Sequence, residues 1–185
     1  MSKTYKNILQ SNNYLVLNNF IDPERAQRLY KSFKEDIKNY PDSFVKDHQC
    51  PLSIAVYNYQ PFLNILCEKI KDISDIMEES MLPTYTYARL YANNEILKKH
   101  QDRPSCEISL TLHLGGDCEW PIWMTKPDGE KVSIELKPGQ AVVYQGMISP
   151  HWRDKFKGTE YAQIFLHYVR GKGPYWEHYG DRADG

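Results

Sequence analysis

The spacing of apolar residues changes along the chain, from a helical period before Pro83 to a period of two after it. After a first strand at 14–20, Asp22 and Pro23 predict the start of a helix, because an aspartate N-cap and a proline at the first helical position both suit its unpaired amides. Pro61 predicts the start of a second helix. The apolar stripes consist of Ala26, Leu29, Tyr30 and Phe33, and of Leu63, Leu66, Ile70, Ile73 and Met77. We expect both helices to pack on one outer face of a sheet.

Beyond Pro83, side chains alternate as they do in short strands. One face of the first such strand carries Tyr85, Tyr87, Arg89 and Tyr91. In the strand at 106–114, Ser109, Thr111 and His113 are expected to face a pocket, while the aliphatic residues between them pack. Further strands are expected at 120–123, 132–136, 141–144 and 161–169, with turns at Gly115-Gly116-Asp117 and Pro127-Asp128-Gly129-Glu130. Short strands separated by turn residues indicate a sandwich or jelly roll.

Composition limits the class of protein, its partners and its compartment. The chain has 185 residues, of which 41% are hydrophobic and 25% charged, as in an ordinary globular domain with a core. A formal net charge of −1 gives no case for a nucleic-acid or membrane partner. No stretch approaches the roughly 20 apolar residues of a membrane span, and residues 1–7 lack the apolar run of a signal peptide. Four scattered cysteines without a CxxC pair favour a reduced, cytoplasmic protein.

The candidate chemistry centres on His100, Asp102 and His151. Residues two apart in an extended segment point to the same side, so His100 and Asp102 can hold one ion while Gln101 points away. Two histidines and one carboxylate form the facial triad of non-haem Fe(II) oxygenases, which leaves coordination positions open. Taken alone, the tripeptide is better explained as polar residues of a surface loop. A strand and turn that lead into His100, and a buried strand before His151, favour the metal interpretation.

This order of elements resembles the Fe(II)/2-oxoglutarate-dependent oxygenases, and within them the prolyl 4-hydroxylase-like group. The resemblance covers residues 83–169 and is carried by Tyr91, His100, Asp102, Pro138-Gly139 and His151. It implies an α+β, mainly β fold: a double-stranded β-helix (jelly roll) with the N-terminal helices packed on the outside of one sheet.

We expect a single domain over residues 1–185. Within it, 1–82 form the N-terminal strand and buttress helices, 83–169 the jelly-roll catalytic core, and 170–185 the C-terminal tail. The aromatic residues of the tail are expected to pack over the mouth of the barrel; they are Tyr175, Trp176 and Tyr179.

The resemblance also implies a binding site for the cosubstrate. Tyr91 stands where the group places a tyrosine that contacts 2-oxoglutarate, and Ser109, Thr111 and His113 lie on the strand that lines the cosubstrate cleft. His100, Asp102 and His151 would be both the metal ligands and the catalytic set.

The sequence differs from the group at the position whose side chain binds the far carboxylate of 2-oxoglutarate. The group has a Lys or Arg about nine or ten residues after the distal histidine, but those positions hold Glu160 and Tyr161, with Gln163 two further along the same face. We predict that Arg153 takes this role, because a fork-shaped guanidinium suits a carboxylate. His113 is expected to support it, and Gln163 is also predicted to belong to the cosubstrate site. The alternatives are Arg89 and Lys157.

The implied activity is that of a dioxygenase that uses Fe(II), 2-oxoglutarate and O2, with ascorbate as a further candidate, to hydroxylate an unactivated C–H bond. The first choice of substrate is a prolyl residue in a peptide or protein, and a free amino acid or other small molecule is the alternative. Two other classes stay open: a cupin-type metal enzyme that does not use 2-oxoglutarate, and a catalytically silent jelly-roll binding module. The oligomeric state is left open.

Overall fold

The computed structural model describes residues 4–181, and within that range four α-helices and ten β-strands are present. The helices are α1 (Tyr5–Asn12), α2 (Pro23–Asn39), α3 (Gln60–Glu68) and α4 (Ile70–Met77). The strands are β1 (Tyr14–Leu17), β2 (Ile54–Tyr57), β3 (Met81–Ala92), β4 (Leu97–His100), β5 (Ile108–Gly116), β6 (Ile122–Thr125), β7 (Lys131–Ile134), β8 (Ala141–Tyr144), β9 (His151–Arg153) and β10 (Glu160–Arg170). The ends of the expected domain, 1–3 and 182–185, lie outside the described residues.

The strands form two antiparallel sheets. The larger has the order β1-β8-β5-β10-β3-β2, and the smaller has the order β4-β9-β6-β7. From β3 onward the chain divides its eight strands equally between the two sheets, which is the arrangement of a double-stranded β-helix, while β1 and β2 extend the larger sheet at its edges. The predicted fold class, α+β and mainly β, is confirmed.

The helices cover the outer face of the larger sheet, as the apolar stripes predict. Asp22 caps α2 by accepting hydrogen bonds from the backbone amides of Glu24 and Arg25. Phe33 of α2 and Ile73 of α4 belong to the same buried cluster as the aliphatic face of β5. The second predicted helix is divided at Lys69 into α3 and α4, and α1 was not predicted. None of the helices in the described part of the chain is long and apolar enough to cross a membrane.

Two local expectations are wrong. Gly115 and Gly116 continue β5 instead of forming a turn, and a Cβ atom on Gly115 would lie 2.8 Å from the ring of Tyr30. Because Gly115 has no side chain, α2 can pack close to the strand at this position. In the tail, Trp176 and Tyr179 are about 60% exposed and do not cover the barrel. The predicted hairpin at 127–130 does join β6 to β7.

The alternation along β3 and β5 separates the two sides of the larger sheet. Ala88 and the aliphatic residues of β5 face the helices and lie in the main apolar cluster. The polar and aromatic residues between them face the smaller sheet, so the interior of the roll is lined by hydrogen-bonding groups. A roll with a polar interior is suited to hold a ligand between its sheets.

Candidate metal centre

The structure brings His100, Asp102 and His151 together inside the mouth of the roll. His100 and His151 are directly opposite each other in the antiparallel pair β4–β9, with ring centroids 4.3 Å apart. Asp102 follows two residues after His100, and its Oδ1 lies 3.6 Å from Nε2 of His100 and 3.5 Å from Nε2 of His151. One ligand atom from each residue lies within 4.8 Å of the other two.

Backbone carbonyl groups orient both imidazoles. Nδ1 of His100 is 2.8 Å from the carbonyl oxygen of Lys98, and Nδ1 of His151 is 2.9 Å from that of Ser149. Because a carbonyl oxygen only accepts hydrogen bonds, each Nδ1 carries a proton, and a metal that replaces the proton on Nε2 would be held by a ring protonated at Nδ1. This is the tautomer that a metal ligand needs.

The three side chains are electrostatically coupled. Burial opposes ionisation of Asp102, but hydrogen bonds from His100 and His151 outweigh it and hold the pKa of this carboxyl well below its ordinary value. Burial likewise opposes the charge on His100, whereas contacts with Asp102 and the Lys98 carbonyl raise the pKa of its imidazole. A divalent cation would compete with protons for the same Nε2 and Oδ1 atoms.

Asp102 is held closely by its surroundings. Its backbone amide donates to the carbonyl oxygen of Gly146 at 2.9 Å, and a Cβ atom on Gly146 would lie 2.4 Å from its Oδ2. Ser109, predicted to line a cosubstrate cleft, donates its hydroxyl hydrogen to Oδ2 of Asp102 at 2.8 Å. The structure therefore gives Ser109 a contact with a candidate metal ligand.

A cavity of about 670 Å³ extends from these three residues into the roll. One wall is aromatic: the rings of Tyr57 and Tyr85 stack 4.7 Å apart, and Tyr87 lies beside them. At the rim, the guanidinium of Arg103 lies 4.7 Å from the Tyr85 ring and pairs with Asp181 at 3.0 Å. The cavity therefore combines a wall of aromatic side chains with charged groups.

The remaining residues predicted to bind the cosubstrate are buried within the roll, and three of them are paired across strands with residues that line this cavity. Arg153, Gln163 and Thr111, which we name the inner polar cluster, are 0–1% exposed. Their strand partners Leu97, Arg89 and Phe165 line the cavity. Tyr91 is also fully buried, and its ring packs edge-on against Trp120.

The inner polar cluster contains buried polar atoms without partners among the described residues. Arg153 donates one hydrogen bond, from Nη1 to the carbonyl oxygen of Trp120, and its guanidinium lies 4.9 Å from the Trp120 ring. Its Nε and Nη2 atoms have no partner at normal hydrogen-bond distance and angle, and the same holds for both amide atoms of Gln163 and for the hydroxyl of Thr111. The nearest polar groups are Tyr161 for Arg153, His113 for Gln163 and Tyr144 for Thr111. Buried donors of this kind normally have a partner, so the cluster has the chemistry of an anion site.

Other candidate groups near this cluster differ from Arg153 in charge or in pairing. Burial, together with the positive charge of Arg153, lowers the pKa of His113 to about 4, so this residue is neutral and stacks on Tyr161 with ring centroids 4.1 Å apart. Arg89 already donates to Asp47 at 2.6 and 3.1 Å and to Gln49 at 2.6 Å. Lys157 is exposed. Arg153 is therefore the cation with free donors.

The strand order is that of a double-stranded β-helix, the fold expected from the sequence. No family model and no curated protein sequence matches the chain. Among solved structures, a prolyl-4-hydroxylase from Pseudomonas putida has a TM-score of 0.69 and 13% identity, covering 88% of this chain and 95% of that chain. A Trichoplax adhaerens prolyl hydroxylase, in complex with a hypoxia-inducible-factor peptide fragment, has a TM-score of 0.72 and 12% identity, with 89% and 87% covered.

A third solved structure with this fold binds a small molecule. HygX from Streptomyces hygroscopicus, with nickel, 2-oxoglutarate and hygromycin B bound, has a TM-score of 0.69 and 10% identity, covering 89% of this chain and 86% of that chain. At these identities the similarity concerns the fold, and the same fold serves different chemistries.

Proposed function

We propose that this protein is an Fe(II)- and 2-oxoglutarate-dependent dioxygenase. The observation that carries the proposal is the convergence of His100, Asp102 and His151 at one end of a cavity inside a double-stranded β-helix. Two imidazoles and one carboxylate suit Fe(II) and leave room for a bidentate ligand and O2. The Nδ1 contacts to backbone carbonyl groups support this role, because they direct both Nε2 lone pairs toward one point.

The inner polar cluster supports 2-oxoglutarate as the cosubstrate. The cosubstrate binds the metal through its keto-acid end, so its far carboxylate needs a donor set deeper in the roll. Arg153 offers two unused N–H donor groups, and Gln163 and Thr111 offer an amide and a hydroxyl. Tyr91 and His113 flank this site as neutral groups that shape it.

When bound, the iron and its cosubstrate supply the oxidising chemistry: 2-oxoglutarate and O2 become succinate and CO2 as a substrate C–H becomes C–OH. The contribution of this chain is positional. His100, Asp102 and His151 hold the metal, Arg153 orients the cosubstrate, and the aromatic wall excludes water from the reacting atoms. No acid or base is required among the three ligands.

The first choice of substrate is a prolyl residue in a peptide or protein. The stacked Tyr57 and Tyr85 rings form a flat wall of the cavity that the candidate metal ligands also line, and this wall suits a saturated five-membered ring. A small molecule is the second candidate, because Arg89 with Asp47 and Arg103 with Asp181 place both charge signs around the cavity, as a free amino acid requires. Mass spectrometry of prolyl peptides and of free amino acids, each supplied with all cosubstrates, separates the two.

Anaerobic titration with Fe(II) and 2-oxoglutarate tests the function itself. We expect a visible charge-transfer band in the wild-type protein and, after O2 is admitted, succinate release that depends on 2-oxoglutarate. His100→Ala should lose both, whereas the control His178→Ala, in the C-terminal segment, should keep both.

Each alternative gives its own result. Metal-dependent O2 consumption without succinate would favour a cupin-type enzyme. Failure of the wild-type protein to bind Fe(II) or Mn(II) would favour a binding module.

A further inference from the structure

A hydrogen-bonded chain connects the candidate metal ligand Asp102 to a buried histidine on another strand. Oγ of Ser109, on β5, lies 2.8 Å from Oδ2 of Asp102 and 3.0 Å from Nδ1 of His167, on β10. Ser109 and His167 are opposite each other in the antiparallel pair of these strands. Both residues are buried, with 0% and 5% exposure, so solvent does not compete for these bonds.

The direction of the chain follows from the groups in it. The ionised carboxylate of Asp102 only accepts, and the single hydroxyl hydrogen of Ser109 goes to it in preference to the neutral Cys106 carbonyl at 3.2 Å, because a hydrogen bond to an ionised acceptor is shorter and stronger. With that hydrogen used, Oγ of Ser109 accepts from Nδ1–H of His167. His167 is therefore the Nδ1–H tautomer and the first donor of the chain.

We propose that Ser109 and His167 are positioning residues for Asp102, on the premise that the protein is the metal-dependent oxygenase proposed above. By engaging Oδ2, the chain leaves Oδ1 as the oxygen that faces Nε2 of His100 and His151. Asp102 would then offer one oxygen to the metal. A carboxylate free to bind through both would occupy a position that the cosubstrate or O2 requires.

Asp102 and His167, together with Cys106, could instead hold a second ion. Asp102, Cys106 and His167 also offer ligand atoms within 4.8 Å of one another. The hydrogen bonds favour the positioning role, because Nδ1 of His167 is already engaged with Ser109 and the Cys106 thiol lies 2.9 Å from the hydroxyl of Tyr85.

Metal affinity, measured without turnover, tests the proposal. Ser109→Ala should weaken Co(II) or Fe(II) binding by about 10–100-fold, the range found when an outer hydrogen-bond partner of a metal ligand is removed. Ser105→Ala is the matched control: Ser105 is equally buried, four residues away, and its hydroxyl makes no hydrogen bond to the three ligands. It should bind metal as the wild-type protein does.

A double-mutant cycle separates positioning from a general structural effect. His167→Phe removes the donor, so it should also weaken binding, and adding it to Ser109→Ala should cost little more because His167 acts on Asp102 through Ser109. His167→Asn restores an N–H donor near Nδ1 and should recover part of the affinity, and it provides a readout if the phenylalanine variant does not fold. Folding of every variant is checked by circular dichroism.

Several outcomes would overturn the positioning role. One is unchanged metal affinity in Ser109→Ala when the wild-type protein binds metal and releases succinate. Another is a full additive loss in the double variant. A third is two metal equivalents in the wild-type protein that fall to one in His167→Phe, which would make His167 a ligand. If the wild-type protein itself binds no metal, the proposed function fails first.

Discussion

The substitution Arg153→Met gives opposite predictions for cosubstrate binding and for stability. In the proposed complex, Nε and Nη2 of Arg153 donate two hydrogen bonds to the far carboxylate of 2-oxoglutarate. Hydrogen bonds to charged groups contribute about 1.5–3 kcal/mol each, so the pair contributes at least ~3 kcal/mol. This predicts a loss of about 150-fold in the affinity for 2-oxoglutarate. Arg153→Lys should fall between, because an ammonium group cannot form the two-pronged contact.

The same substitution should not destabilise the ligand-free protein. Arg153 is 1% exposed, and two of its three guanidinium nitrogens lack a hydrogen-bond partner among the described residues. Replacing a buried ion by an apolar side chain of similar volume is neutral or stabilising by ~1–4 kcal/mol. The lost contacts with Trp120 and Tyr161 offset part of that gain. We expect the free energy of unfolding, measured in urea, to rise by about 1 kcal/mol or to stay unchanged.

Anaerobic titration with two ligands identifies which part of the cosubstrate Arg153 contacts. 2-Oxopentanoate keeps the keto-acid end of 2-oxoglutarate and lacks the far carboxylate, so its affinity should be the same for the wild-type protein and for Arg153→Met. Equal losses for both ligands would mean that the substitution disturbs the metal centre. Unchanged affinity for 2-oxoglutarate would refute the assignment and leave Arg89 as the candidate.

Three further predictions concern the metal centre and stability. Gly146→Ala places a Cβ atom 2.4 Å from Oδ2 of Asp102, so metal titration should show at least a tenfold loss of affinity. Burial lowers the pKa of His113 and His167 to about 4, below the unfolded value of ~6.5, so the unfolded state binds more protons between these pH values. Stability should therefore fall on acidification from pH ~6.5 to ~4, by up to about 2.7 kcal/mol per pH unit in urea unfolding, and a flat profile would contradict this. Asp22→Ala removes the cap of α2 and should cost about 1 kcal/mol with metal affinity unchanged.

Local patterns in the chain were sufficient to predict most of the fold. The N-cap at Asp22 and the stripe ending in Phe33 identified α2, and the alternation along β5 separated its helix-facing residues from its interior ones. The helix α1 escaped prediction because only Leu9 is buried in its eight residues, which leaves no apolar stripe. Gly115 was mistaken for a turn residue because its reason, the approach of Tyr30, lies on a distant helix.

The sequence by itself determined which side chains enter the roll, because a strand alternates its faces whatever its neighbours are. His100 and Asp102 were recognisable for that reason, and so was the face that Arg89 shares with Tyr85, Tyr87 and Tyr91. Only the tertiary structure decided which cation is free: the loop before β2 brings Asp47 onto Arg89, and no described acidic side chain reaches Arg153.

The contact of Ser109 with Asp102 was decided in the same way. These residues are seven apart, and they meet because the chain turns between β4 and β5. His167 joins them through the pairing of β5 with β10. Alternation along a strand is local and can be read from neighbouring residues, whereas pairing of charges and hydrogen bonds depends on segments brought together by the whole fold.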